Sequence, residues 1–122
     1  MAQATGIGGV FLRARDPKAL YAWYEKYLGL PMGHGSFSIP AEQERSVIAL
    51  AFFSDQDAYF PAAQPTMINF QVDNLDELLD TLAAAGVPVD PKRETCDYGK
   101  FGWVTDPEGN RVELWQPADK ER

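Results

Sequence analysis

An α+β fold made from one β-α-β-β-β unit used twice is predicted by three features of the sequence. These are an internal repeat, two amphipathic helix patterns within it and a strong hairpin signature near the end. The repeat pairs Gly9-Val10-Phe11-Leu12-Arg13-Ala14-Arg15-Asp16 with Ile68-Asn69-Phe70-Gln71-Val72-Asp73-Asn74. Each segment is followed by a helix-like stretch and then Gly29-Leu30-Pro31 or Gly86-Val87-Pro88. Asp16 to Asp73 and Gly29 to Gly86 share an offset of 57 (73 − 16 and 86 − 29). A constant offset over both start and stop signals marks one supersecondary unit made twice. One domain over 1–122 is expected, with unit one about 5–60 and unit two about 65–117.

The first strand alternates Val10, Leu12 and Ala14 with Gly9, Phe11 and Arg13, giving it two distinct faces. The helix after it carries Leu20, Trp23, Tyr24, Tyr27 and Leu28 on one face of a 3.6-residue period. Asp16 can cap it, Pro17 suits its first turn, and Gly29 can take the left-handed stop. Residues around Met32 to Phe37 read as a short strand. Val47 to Phe53 is apolar throughout, as in a strand covered on both faces, and Pro40 to Arg45 and Ser54 to Pro65 read as surface loops.

The second unit starts with Ile68, Phe70 and Val72 alternating with Met67, Asn69 and Gln71. Its helix shows Leu75, Leu78, Leu79 and Leu82, with Asn74 and Glu77 at capping-box spacing and Gly86 as the stop. A short strand is expected around Pro88 to Lys92. Phe101 to Thr105 and Arg111 to Gln116 then flank Asp106-Pro107-Glu108-Gly109-Asn110, where Pro presets a turn and Gly accepts positive φ.

Composition narrows the function. The 122 residues, 45% hydrophobic and 24% charged, suffice for a core without disulfides or structural metal. The formal charge of −7 argues against nucleic acid, which demands a basic footprint. No apolar run approaches the roughly 20 residues of a membrane span, so no membrane partner is expected. Met1 to Gly6 lacks the basic start and apolar stretch of a signal peptide, and the single cysteine, Cys96, can form no internal disulfide. A cytoplasmic protein is expected.

The runs "RDPKALYAWYEKYLGL", "FQVDNLDELLDTLAAAGV" and "YGKFGWVTDPEGNRVELWQP", in this order and with a duplicated spacing, resemble vicinal-oxygen-chelate proteins. This is the glyoxalase/bleomycin-resistance/dioxygenase superfamily, and the resemblance covers nearly the whole chain. It implies two βαβββ units curled into a mixed-sheet cup around a small ligand or metal, and a homodimer. It also implies where metal ligands belong. The position seven residues before Asp16 is Gly9, and the one seven before Asn74 is Met67. Ser46 to Phe53 holds no His, Asp, Glu or Cys, and Glu113 alone stands where the family places a carboxylate. Glycine has no donor and a thioether suits soft ions, so a divalent metal is disfavoured and no cofactor is expected.

If Gly9 and Met67 face inward, period-two alternation turns Phe11, Arg13, Asn69 and Gln71 inward too, and Arg111 and Trp115 around Glu113, while Val112 and Leu114 pack beneath the helices. Tyr98, before the final hairpin, is expected as a rim contact. Aromatic walls with a few polar groups are how small-molecule sites are built. The expected function is therefore metal-independent binding of a small aromatic or amphipathic molecule in a dimeric cavity. The alternative is a lyase, isomerase or dioxygenase relative using Glu113 as metal ligand or general base. For Glu113 the bland reading is pairing with Arg111 or Arg13. His34, the lone histidine, is read as solvated or structural rather than catalytic, and Cys96, beside Asp97, as an inert thiol.

Overall fold

A computed structural model of the chain describes residues 10, 12–39 and 51–118. Gly9, Phe11, the loop at 40–45 and most of the expected strand at 47–53 lie outside the described residues. Two compact units are present, Met1–Phe53 and Ser54–Arg122.

In the first unit, helix α1 spans Pro17–Leu28. The Asp16 carboxylate accepts the Ala19 N–H (3.1 Å), Pro17 occupies the first turn, and Gly29 closes the helix at φ 68. Leu20 and Tyr24 are buried, and Tyr21 and Tyr24 both make edge contacts with Phe37. Met32 and Phe37 form an isolated bridge rather than a strand. Residues 12–14 and 51–53, expected in strands, carry no ladder pairing among the described residues.

The second unit holds strand β1 (Asn69–Gln71), helix α2 (Leu75–Ala84), and strands β2 (Glu94–Cys96), β3 (Gly99–Thr105) and β4 (Arg111–Pro117). The sheet is mixed, in the order β1-β4-β3-β2, with β1 parallel to β4 and the other pairs antiparallel. Asn74 caps α2 by accepting the Glu77 N–H (3.1 Å) and donates to the Glu77 carboxylate (3.2 Å). Gly86 follows the helix at φ 89.

Leu75, Leu79 and Leu82 of α2 are buried, as are Val104, Val112 and Leu114 of the sheet. The helix sits close: a Cβ on Gly102 would lie 2.5 Å from Leu79 Cδ1. Alternation along β4 then turns Arg111, Glu113 and Trp115 away from the helix, as the sequence pattern anticipates.

The strand expected at 88–92 is displaced. Val89 makes only an isolated bridge to Val104, and regular pairing begins at Glu94. Pro91 cannot donate to a ladder, and the Lys92 N–H is diverted to the Asp90 carboxylate (3.0 Å). Arg93 then forks between Asp76 (2.8 Å) and Asp80 (2.9 Å) on α2, fixing this segment to the helix. Arg93, with Lys100, holds the Asp76 carboxyl below the usual carboxylate range.

Asp106, which is buried, organises the β3–β4 turn. Its carboxylate accepts the Glu108 and Asn110 N–H groups (both 2.9 Å) and the Asn110 amide (2.8 Å). Asp106→Ala is expected to cost about 2 kcal/mol, because two backbone donors and an amide lose a charged acceptor. Urea denaturation of the variant checks this.

Candidate functional site

The sheet face opposite α2 is organised in rows, because register partners project to the same side. One row runs Asn69–Glu113–Trp103 across β1, β4 and β3, and the next runs Gln71–Trp115–Phe101–Glu94 across all four strands.

Glu113 is 8% exposed and is the hub of the first row. Its Oε1 accepts the Asn69 amide (2.8 Å). Its Oε2 accepts both the Tyr59 hydroxyl (2.5 Å) and the Trp103 indole N–H (3.1 Å). All three donors are uncharged, and none is an arginine. Burial, and then the hydrogen bond to Glu113, push the Tyr59 phenol well above its ordinary range, so it stays a proton donor.

Arg111 does not reach Glu113. Its guanidinium pairs with Asp90 (3.1 Å), donates to the Tyr59 carbonyl (3.1 Å) and lies over the Trp103 ring, 5.1 Å from the centroid. The Lys92 backbone N–H, joined by Arg111, holds the Asp90 carboxyl below its usual range. Gln64 brackets the Arg111 backbone, accepting its N–H and donating to its carbonyl (both 2.8 Å). Through Tyr59 and Gln64, the segment at 59–64 is therefore tied along this row, and the Tyr59 ring meets Trp103 edge-on at 5.8 Å. Trp103 is 1% exposed.

The second row is more open. Phe101 and Trp115 are half-buried and stacked, with planes 8° apart and centroids 5.9 Å apart. The Trp115 indole N–H donates to the Tyr98 carbonyl (2.9 Å), and Tyr98 itself is 73% exposed at the β2–β3 turn. Gln71 is exposed and Glu94 pairs with Lys92 (2.9 Å).

Of the residues expected to line the site, Asn69, Gln71, Arg111, Glu113 and Trp115 share this face, and Tyr98 stands at its edge. Met67 is half-buried ahead of β1. Arg13 is exposed and, like His34, belongs to the first unit. Phe11 lies outside the described residues.

Sequence reasoning missed Tyr59, Gln64 and Trp103. Trp103 had a signal: a five-residue turn at 106–110 puts position 103 opposite 113. Tyr59 had none, since it sits in a segment read as loop and meets Glu113 across 54 positions.

Among the described residues, no group of three His, Cys, Asp or Glu could hold a metal ion. The groups on Glu113 present hydrogens, and an indole N–H offers no lone pair to a cation. Among the described residues, no helix is long and apolar enough to cross a membrane.

The family model for the Glyoxalase/Bleomycin resistance protein/Dioxygenase superfamily matches residues 6–114. No curated protein matches the chain. Among solved structures, a glyoxylase/bleomycin resistance protein/dioxygenase domain from Frankia sp. EAN1pec is 19% identical, with a TM-score of 0.62 over 98% of this chain and 96% of that one. TnmS3, an antibiotic binding protein from Streptomyces sp. CB03234, is 20% identical, with a TM-score of 0.57 over 94% of this chain and 100% of that one. A lactoylglutathione lyase from Agrobacterium tumefaciens is 18% identical, with a TM-score of 0.55 over 92% and 96%. At these identities the likenesses establish the fold.

Proposed function

We propose, on the premise that this chain belongs to the glyoxalase/bleomycin resistance protein/dioxygenase superfamily, that it binds a small aromatic or amphipathic molecule without a metal ion and works as a cytoplasmic homodimer. The observation carrying this reading is the state of Glu113. The carboxylate in the family's ligand position accepts three uncharged donors from its own chain. The adjacent stacked Phe101–Trp115 pair offers apolar ring surface beside the polar ends of Gln71 and Glu94. That composition suits a ligand with a flat apolar body. The antibiotic-binding neighbour TnmS3 and the lyase neighbour share this fold, so the fold accommodates binding as well as turnover and the choice between them rests on the site. Cys96 is an exposed free thiol, in keeping with a reducing compartment.

A thermal-shift screen with acridines, anthraquinones and aromatic antibiotics, run with and without EDTA, tests the reading. Saturable stabilisation unaffected by EDTA is expected, on the order of 2.7 kcal/mol at a hundredfold excess over Kd. Stoichiometric Mn, Fe, Ni or Zn in untagged protein, lost in Glu113→Gln, overturns it in favour of a metal-dependent enzyme. Light scattering at twice the chain mass is the expected result for the dimer.

A further inference from the structure

We infer that the ligand stacks on the open face of Trp115, above Gln71, one row away from Glu113, and that Glu113 touches no ligand but fixes the wall beside it through Tyr59. This placement rests on the binding reading above and adds a position and a shape to it.

The first row is already covered by the chain itself. Trp103 makes a T-shaped contact with Tyr59, has a ring face against Arg111 and its N–H on Glu113. Tyr59 is held at both ends, its hydroxyl on Glu113 and its carbonyl under the Arg111 Nε. Gln64 ties the same segment to the Arg111 backbone twice. A molecule entering at Glu113 would have to displace these contacts.

The second row has the opposite character. The Trp115 indole has spent its single donor on the Tyr98 carbonyl and one ring face on Phe101. What remains is a second, immobilised ring face on the β1 side, where the register neighbour is the exposed Gln71. A ring held by a hydrogen bond on its edge and a stack on one face loses little freedom on receiving a second stack, which is the condition for tight binding by a small surface. Gln71, the register neighbour on β1, carries an amide that offers both a donor and an acceptor. The row spans about 14 Å from Gln71 to Glu94 at a strand spacing of about 4.8 Å. The geometry therefore selects a flat, fused-ring molecule with a polar substituent.

Affinity for 9-aminoacridine and for anthraquinone-2-sulfonate, measured by ligand fluorescence or absorbance titration, separates the possibilities. Trp115→Ala is expected to weaken binding at least tenfold, and Glu113→Gln less than twofold. Trp115→Phe, which keeps a ring in place if the alanine variant misfolds, is expected to retain part of the affinity and to lose most of the ligand-induced quenching of total tryptophan emission, to which Trp23 and Trp103 still contribute. Binding that survives Trp115→Ala, or that falls as far in Glu113→Gln as in Trp115→Ala, overturns the placement and leaves the binding reading standing. Failure of the wild-type protein to bind any compound of the screen overturns both.

Discussion

Gly99→Ala is expected to destabilise the protein by more than about 3 kcal/mol. Gly99 begins β3 at φ 128, a region that L side chains rarely adopt. Strain of this kind costs of order 1–3 kcal/mol by itself. The added Cβ would also collide with the Gln116 carbonyl oxygen and lie 2.7 Å from the Ala118 nitrogen. Those atoms are backbone, so no side chain can swing aside. Relief requires opening the pairing of Gly99 with Pro117, where the Ala118 N–H also reaches the Tyr98 carbonyl. The same carbonyl orients Trp115, so the variant should also loosen that indole. A fall in Tm of roughly 10 °C or more is expected for a chain of this size, with near-ultraviolet circular dichroism showing the altered tryptophan environment. A variant as stable as the parent would mean the β2–β3 turn has room that the structure denies it.

The second large effect concerns Glu113 and depends on the replacement. Glu113→Leu removes the acceptor for Trp103, Tyr59 and Asn69 together. The indole is 1% exposed, so its N–H is left unsatisfied at a cost of about 1–3 kcal/mol. With Tyr59 untied as well, a total loss near 3 kcal/mol is expected. Glu113→Gln should cost under about 1 kcal/mol. Its amide oxygen can still serve Tyr59 and Trp103, and its new NH2 can donate to Asn69 once the Asn69 amide turns over. The ratio of the two effects in urea melts is the informative quantity. Equal losses would show that the hub needs a charge and not merely an acceptor.

Much of this architecture is legible in the residues because local chemistry fixes it. Asp16, Pro17 and Gly29 mark both ends of α1, and Asn74 and Gly86 do so for α2. Asp106 to Asn110 could hardly be anything but a turn, and period two along β4 separates Glu113 and Trp115 from Val112 and Leu114. What escaped the sequence is of two kinds. One is backbone diversion: Pro91 and the Asp90 side chain push regular pairing from 88–92 on to Glu94, a detail set by one hydrogen bond. The other is long-range closure. The sequence offers Arg111 or Arg13 as one pairing for Glu113, yet Arg111 is taken by Asp90 and the carboxylate by uncharged donors, two of them from distant segments. Nothing in the run Ser54 to Pro65 distinguishes Tyr59 from any other loop aromatic until the sheet face is assembled.

The three partners of Glu113 differ in how far along the chain they must travel, and that difference orders events in time. Trp103 is 10 positions away and arrives with the β3–β4 hairpin, a step of microseconds for an isolated hairpin. Asn69 is 44 positions away and comes with the parallel pairing of β1, and Tyr59 is 54 away. Long loops close late because their entropy must be lost before the contact compensates. By this argument the Trp103 contact is expected early and the Asn69 and Tyr59 contacts late, so tryptophan emission in a variant keeping only Trp103 is expected to report the late assembly of the hub in stopped-flow refolding.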